Sequence, residues 1–140
     1  IPSEKLALKT VASSCYKELT DGAGGCLFGM TLGINHWKLF EWLNAATGWE
    51  KSPDEYMEIG KRIQTLRQMF NIKQGIDPWQ FKLVSRMQGT PPLQAGPLKG
   101  RSVLIEDMMR LHWKNYGWDE NTGVPTAETI SELELDSILA

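Results

Sequence analysis

The chain has 140 residues, of which 15 are basic and 17 acidic, so its formal net charge is −2. It has no basic excess that would favour nucleic acid or an anionic lipid surface. No apolar stretch approaches the roughly 20 residues that cross a bilayer, and the N-terminus lacks the pattern of a signal peptide. We therefore expect a soluble, cytoplasmic protein that binds no nucleic acid and no membrane, and whose partners are proteins or small molecules.

The first predicted element is an amphipathic helix from Ser3 to about Leu19. Apolar residues recur at steps of three and four residues and form a buried stripe of Leu8, Val11, Ala12, Cys15 and Leu19. Because Cys15 falls on this stripe, we expect it in the core. The pattern stops between Thr20 and Gly25 at a cluster of three glycines. Glycine allows backbone conformations that other residues avoid, and it lets another group approach the main chain closely. We interpret this segment as a functional loop.

A second predicted helix starts with Asn35 as its N-cap and ends where Gly48 supplies the C-cap. Its length is about three turns. The residues that we expect to point inward are Leu39, Phe40, Leu43 and Ala46.

The third predicted helix runs from Ser52 to about Phe70. Ser52 as N-cap, Pro53 at the first helical position and Glu55 three residues after the cap form a capping box. The apolar stripe behind this cap keeps helical spacing and consists of Tyr56, Ile59, Ile63, Leu66 and Phe70.

The segment from Gly75 to Gly100 contains four prolines, which exclude a long helix or a central strand there. Helical periodicity returns after Ser102 and closes near Gly117, and a short helix follows Thr126. We expect the tail 134–140 to fray. Without an alternating strand set, the sequence predicts an all-α, irregular multi-helix domain with long Pro/Gly-rich connecting segments.

Other candidates for chemistry are interpreted structurally. We expect His36 at a helix start and His112 on a helix face, since their spacing does not suit a metal site. The segment from Asp119 to Gly123 resembles the start of a calcium loop but lacks the acidic residue at the twelfth position. We expect the six tryptophans in the core or in contacts between domains.

Cys26 directly follows the glycine cluster and has three interpretations: an iron-sulfur ligand, a catalytic thiol or a small buried side chain. The residues alone favour the buried side chain, because a cluster usually needs four thiolates and the chain has 2 cysteines.

The segment Asp21-Gly22-Ala23-Gly24-Gly25-Cys26 resembles a motif of the tungsten-pterin aldehyde ferredoxin oxidoreductase family: Asp, two variable residues, Gly, Leu and Cys. The chain departs from this motif at Gly25, where the family usually has leucine, and the missing side chain predicts a looser loop. Further landmarks agree with the family in order and spacing: Asn44-Ala45-Ala46-Thr47-Gly48-Trp49, Gly60-Lys61-Arg62-Ile63, Phe70-Asn71, Gly96-Pro97-Leu98-Lys99-Gly100 and Gly117-Trp118-Asp119.

The resemblance implies that residues 1–140 are the helical C-terminal domain of a larger enzyme, which agrees with a chain that does not begin with methionine. In the family, the aspartate of the motif binds a pterin and the cysteine is the last of four ligands to a 4Fe-4S cluster. Asp21 and Cys26 match these positions, and Gly24, Gly25 and Leu27 would lie at the cofactors. The other cluster ligands and most of the pocket for a tungsten or molybdenum bis-pterin would come from upstream domains, so we expect the isolated part to hold no cofactor and to be inactive.

The implied reaction is the oxidation of an aldehyde to a carboxylic acid, with ferredoxin or another electron-transfer protein as acceptor. Some family members instead reduce aromatic coenzyme A thioesters. An alternative from another class is a cofactor-free helical interaction domain, with the glycine loop and the tryptophans as a protein interface. If the domain belongs to a larger fold, we expect an exposed apolar patch beside the glycine loop.

Overall fold

The computed structural model of the chain describes residues 3–26, 28–29, 32, 37–81 and 83–139. Within these ranges the regular structure is helical, and strand-like pairing is limited to an isolated bridge between Trp118 and Pro125. The predicted all-α class is confirmed. In chain order the elements are α1 (Glu4–Gly22), α2 (Leu39–Thr47), α3 (Pro53–Lys73), a 3-10 turn (Pro78–Gln80), α4 (Ser85–Gln88), α5 (Ile105–Tyr116), α6 (Ala127–Glu132) and α7 (Asp136–Leu139).

Helix α1 lies at the centre of the packing, since it contacts both α3 and α5. On one side of α1, a core cluster consists of Val11, Cys15, Trp113, Tyr116 and Trp118. A second cluster, toward the C-terminal end of α1, joins Leu19 to Leu39 of α2 and Tyr56 of α3. None of the helices in the described part combines the length and the hydrophobicity that a bilayer crossing needs.

The predicted caps agree with the structure where it describes them. The Ser52 N–H donates to Glu55 Oε2 at 2.8 Å and the Glu55 N–H donates to Ser52 Oγ at 3.3 Å, so the capping box is confirmed. Gly48 and Gly117 end their helices in the left-handed conformation, with φ of 74° and 78°. Asn35 lies outside the described residues, and α2 begins at Leu39 after Lys38.

Four of the predicted inward positions on the first three helices are wrong. Leu8 and Ala12 of α1 are exposed. Ala46 of α2 is exposed, and Phe70 near the end of α3 is 61% exposed.

The buried residues of α3 include Gly60, which lies against Cys15 of α1, and Thr65, which accepts from the Trp118 indole. Both are small, and neither was on the predicted apolar stripe. A helix packs most closely where the facing side chains are small, and this rotated the buried face away from Phe70.

The C-terminal third follows the prediction except at its end. In the described residues of the mostly exposed segment from Gly75 to Gly100, the regular elements are the 3-10 turn and α4. Leu104, at the start of the predicted helical pattern, is 53% exposed, whereas α5 buries Trp113 and Tyr116. The predicted fraying of the tail is wrong at Leu135, which is fully buried.

Candidate functional site

Helix α1 ends in a Schellman motif that the glycine cluster makes. The Gly25 N–H donates to the Thr20 carbonyl at 2.8 Å, and the Gly24 N–H donates to the Asp21 carbonyl at 3.0 Å. Gly24, at the left-handed position of the motif, has φ of 78°. These two bonds satisfy carbonyls that a helix end otherwise leaves unpaired. The glycines therefore form an ordered turn, which we call the capping turn (residues 20–26).

Gly25 lies directly against Thr20. A Cβ atom at position 25 would be 2.6 Å from Thr20 Cγ2 and 3.0 Å from the Thr20 carbonyl oxygen, and 3.5 Å from the ring of Trp37. Contacts below 3.0 Å are essentially never found for real Cβ atoms. The prediction of a looser loop at Gly25 is thus wrong, because glycine is what allows the turn to close on Thr20.

Asp21 lies in the last turn of α1 with its carboxylate on the surface. The Lys17 ammonium donates to Asp21 Oδ2, and the two side chains are 37% and 41% exposed. A carboxylate is disfavoured at a helix C-terminus, where the helix dipole is negative, so helix stability alone does not explain an aspartate here. The pair with Lys17 offsets this effect, as an i,i+4 ion pair does on a helix surface.

Cys26 is the last residue of the capping turn and is exposed. The residues alone favoured a small buried side chain at Cys26, and this interpretation is wrong within this chain. An exposed thiol one residue after a hydrogen-bonded turn is available to react or to bind a metal group. Leu27, which the resemblance places at the cofactors, lies outside the described residues.

The predicted apolar patch is present beside the capping turn. Phe28 is 70% exposed and Leu32 is 79% exposed. Trp37, half-buried, lies against Gly25, and its ring centroid is 6.0 Å from that of Trp42, which is 52% exposed. A cluster of large apolar side chains at a surface indicates an interaction region, whereas single exposed apolar residues are common on any protein.

The last turns of α1 are tied to α3 next to the capping turn. Glu18 is buried at 7% exposure, and its carboxylate accepts from the Arg67 guanidinium of α3 at 2.5 Å. Gly22 faces Ile63, since a Cβ at position 22 would lie 3.4 Å from Ile63 Cδ1. The end of α1 is thereby held on a long helix, which gives the capping turn a fixed base.

Cys15 has the structural role that its position on the helical stripe predicts. It is 4% exposed, and its thiol donates to the Tyr116 hydroxyl at 3.6 Å. Burial raises the pKa of the Cys15 thiol, and burial likewise raises the pKa of the Tyr116 hydroxyl. Both groups are therefore neutral components of the core.

His112 packs edge-on against Tyr116, with ring centroids 5.0 Å apart, and burial lowers its pKa. Its structural interpretation is confirmed, whereas His36 lies outside the described residues. Across the described ranges, no group of three or more His, Cys, Asp and Glu side chains is arranged to hold a metal ion.

Sequence reasoning missed Thr20 and Trp37 at this site. Thr20 could have been found from the spacing of a Schellman motif. In that motif the residue after the left-handed glycine, here Gly25, donates its N–H to the carbonyl five positions earlier, here Thr20. No signal in the sequence singles out Trp37, because its contact with Gly25 exists only in the folded chain.

The comparisons with known proteins agree with these features. The family described as aldehyde ferredoxin oxidoreductase, domains 2 & 3, matches residues 3–135. The chain belongs to this family. The tungsten-containing aldehyde ferredoxin oxidoreductase of Pyrococcus horikoshii is 35% identical over 127 residues, which are 89% of this chain and 21% of the relative. The enzymes of that name from Thermococcus kodakarensis and Pyrococcus furiosus are each 36% identical, over 86% and 82% of this chain.

The chain corresponds to a small part of the length of each relative. The chain covers 21%, 20% and 19% of the lengths of these three oxidoreductases, respectively. The family resemblance is confirmed for the chain, whereas the roles of Asp21 and Cys26 stay predictions. The surface beside these two residues is apolar.

Proposed function

We propose that the chain is the C-terminal helical part of a tungsten-containing oxidoreductase, which oxidises aldehydes to carboxylic acids and passes the electrons to ferredoxin. In this proposal the capping turn forms one edge of the cofactor site. Cys26 supplies one ligand of a 4Fe-4S cluster and Asp21 binds a pterin. The observation that carries the proposal is the joint exposure of the Asp21 carboxylate and the Cys26 thiol at the two ends of an ordered turn, in a chain of this family.

The donor set fits an iron-sulfur cluster. Iron in such clusters is held by cysteine thiolates, and the Cys26 thiol is exposed while Cys15 is enclosed by the core. Because the described residues contain no group of three or more potential ligands, the proposal assigns the remaining ligands to upstream domains of the same polypeptide. Cys26 alone is then the contribution of this chain.

The donor set also fits a pterin. The amino-pyrimidine edge of a pterin presents N–H donors, and an ionised carboxylate is an acceptor with several lone pairs. Among the described residues, Lys17 pairs with the Asp21 carboxylate at the surface, and a carboxylate has further lone pairs that can accept bonds from a second donor. A Cβ atom built at Gly24 would meet no atom of the described residues within 4 Å, which leaves room beside the turn for another group to approach the main chain.

When bound, a tungsten bis-pterin and a 4Fe-4S cluster would supply the two-electron oxidation of the aldehyde, with water as the source of the added oxygen atom, and the onward transfer of the electrons. In this proposal, the residues of this chain hold and orient the pterin and the cluster. Asp21 and Cys26 are the first and last of six consecutive residues in the capping turn. The proposed pterin contact and the proposed cluster ligand are therefore neighbours. Phe28 and Leu32 supply apolar surface that would exclude water from a contact with the upstream domains.

The exposed patch supports a contact with the upstream domains over a free, cofactor-free interaction domain. The patch adjoins Cys26 and the capping turn, which is where the family resemblance requires the cluster and the pterin. The substrate pocket falls outside this chain in the proposal, and no described residue selects one aldehyde over another.

The test uses the complete polypeptide that carries this chain. Iron content, tungsten content and aldehyde-dependent dye reduction are measured for the wild type, for Cys26→Ala and for the matched control Cys15→Ala. We expect Cys26→Ala to lose cluster iron and dye reduction, and Cys15→Ala to retain both. Unchanged iron in Cys26→Ala would remove Cys26 from the cluster, and absence of iron and tungsten from the wild type would favour the interaction domain.

A further inference from the structure

We propose that Thr20 is a positioning residue that takes the place of the side chain missing at Gly25, and that it thereby fixes where Cys26 presents its thiol. This inference rests on the proposed function, because it assigns Thr20 to the cofactor edge. Thr20 is fully buried and lies immediately before Asp21.

A Schellman motif usually includes an apolar contact as well as its two hydrogen bonds. The residue after the left-handed glycine commonly packs an apolar side chain on the residue that accepts its N–H. Here the former is Gly25, which has no side chain, and the latter is Thr20. The contact is nevertheless made, because Thr20 Cγ2 lies 2.6 Å from the position that a Cβ at Gly25 would take.

The direction of the Thr20 methyl group is itself fixed. The Thr20 hydroxyl donates to the Tyr16 carbonyl at 2.8 Å, one turn back in α1. A helical threonine chooses between two side-chain conformations, and a bond to the carbonyl four residues earlier selects one of them. The methyl group is thus directed at Gly25, and the carbonyl of the same residue receives the Gly25 N–H.

Thr20 therefore acts on Cys26 through the main chain. It holds Gly25 by a hydrogen bond and by a methyl contact, and Cys26 is the next residue. A change that loosens or displaces Gly25 displaces the thiol, although Thr20 itself is buried and touches neither proposed cofactor. Residues that orient a metal ligand in this indirect way commonly affect metal retention about tenfold or more.

The first experiment measures amide hydrogen exchange at position 25 in the 140-residue chain. Thr20→Ser removes the methyl group, and Gly25→Ala forces a Cβ against it, so each change should accelerate exchange about five- to tenfold by weakening the hydrogen bond to Thr20. The double variant Thr20→Ser/Gly25→Ala should exchange more slowly than Gly25→Ala alone, because serine leaves room for the new Cβ. Thr20→Val loses the bond to Tyr16 but keeps both branches on Cβ, and valine has one strongly preferred side-chain conformation in a helix, so its exchange should remain close to the wild type.

The second experiment measures iron retention and the reduction potential of the cluster in the complete polypeptide for the same four variants. We expect Gly25→Ala to lower iron retention about tenfold and Thr20→Ser/Gly25→Ala to recover most of it. Additive effects of the two changes on exchange would overturn the proposal, and so would normal iron retention in Gly25→Ala when its exchange is accelerated. If Cys26→Ala retains its iron, the proposed function fails, whereas the exchange pattern still decides the role of Thr20 in the turn.

Discussion

The Cα atom of Gly60 in α3 lies against the backbone carbonyl of Cys15 in α1, so that a Cβ at position 60 would be 2.0 Å from the carbonyl oxygen. No side chain fits between the two helices at this point. The close approach lets α1 and α3 pack along their lengths. It also fixes the position of the end of α1, and therefore of the capping turn, relative to α3.

Gly60→Ala should lower the free energy of unfolding by about 3 kcal/mol, because the two helices must separate to admit the methyl group. Chemical denaturation of the 140-residue chain measures this. Gly22→Ala is the control, since its Cβ would meet Ile63 Cδ1 at an ordinary 3.4 Å, and it should stay within about 0.5 kcal/mol of the wild type. Equal effects of the two substitutions would contradict the close approach of α1 and α3.

Arg67→Met should destabilise the chain by about 1 to 2 kcal/mol, because it leaves the buried Glu18 carboxylate without its partner. The figure is modest because the Arg67 side chain is 60% exposed and water screens the pair. In thermal denaturation, the double variant Glu18→Gln/Arg67→Met should be more stable than Arg67→Met alone. If the double variant is the less stable one, the pair is not what holds the end of α1.

Ser52→Ala should lower the free energy of unfolding by about 1 kcal/mol near neutral pH through loss of the cap of α3. Hydrogen bonds from the Ser52 backbone and hydroxyl hold the pKa of Glu55 below its usual 4.5. A carboxylate with a lower pKa in the folded chain stabilises it above pH 4.5, and this contribution is lost as the pH falls through the folded pKa. The difference between Ser52→Ala and wild type should therefore narrow in acid, whereas the exposed control Ser131→Ala shows no such trend.

The native chain should present one fast-reacting thiol to a water-soluble thiol reagent. Cys26 is exposed, whereas Cys15 is 4% exposed and burial raises its pKa, which lowers the fraction of reactive thiolate. Cys26→Ala should abolish the fast reaction and Cys15→Ala should retain it. Two thiols that react at the same rate in the folded chain would show that α1 and α5 do not enclose Cys15.

Much of the helical framework was predictable because its signals are local. The capping box of Ser52 and Glu55 depends on residues three apart, and the left-handed glycines at 48 and 117 depend on the helix ends that they follow. The exposure of Phe70 was not predictable from such signals. It depends on where α1 crosses α3, which the close contact at Gly60 decides.

At the candidate site, too, local signals were predictable and contacts that depend on the fold were not. The positions of Asp21 and Cys26 could be selected from the spacing of the motif, and the exposure of both agrees with that selection. The effect of Gly25 was predicted wrongly, because a missing side chain was read as missing contact. The buried methyl group of Thr20 supplies the contact, and only the folded turn reveals it.

The central claim, that Cys26 binds the cluster, is tested most directly by replacing its sulfur with oxygen. The electron paramagnetic resonance spectrum and the reduction potential of the reduced cluster are recorded for Cys26→Ser and for the control Cys15→Ser in the complete polypeptide. The account predicts that Cys26→Ser changes both, because the ligand atom on iron changes, and that Cys15→Ser leaves both as in the wild type. A wild-type spectrum and potential in a Cys26→Ser protein that retains its iron would contradict the account.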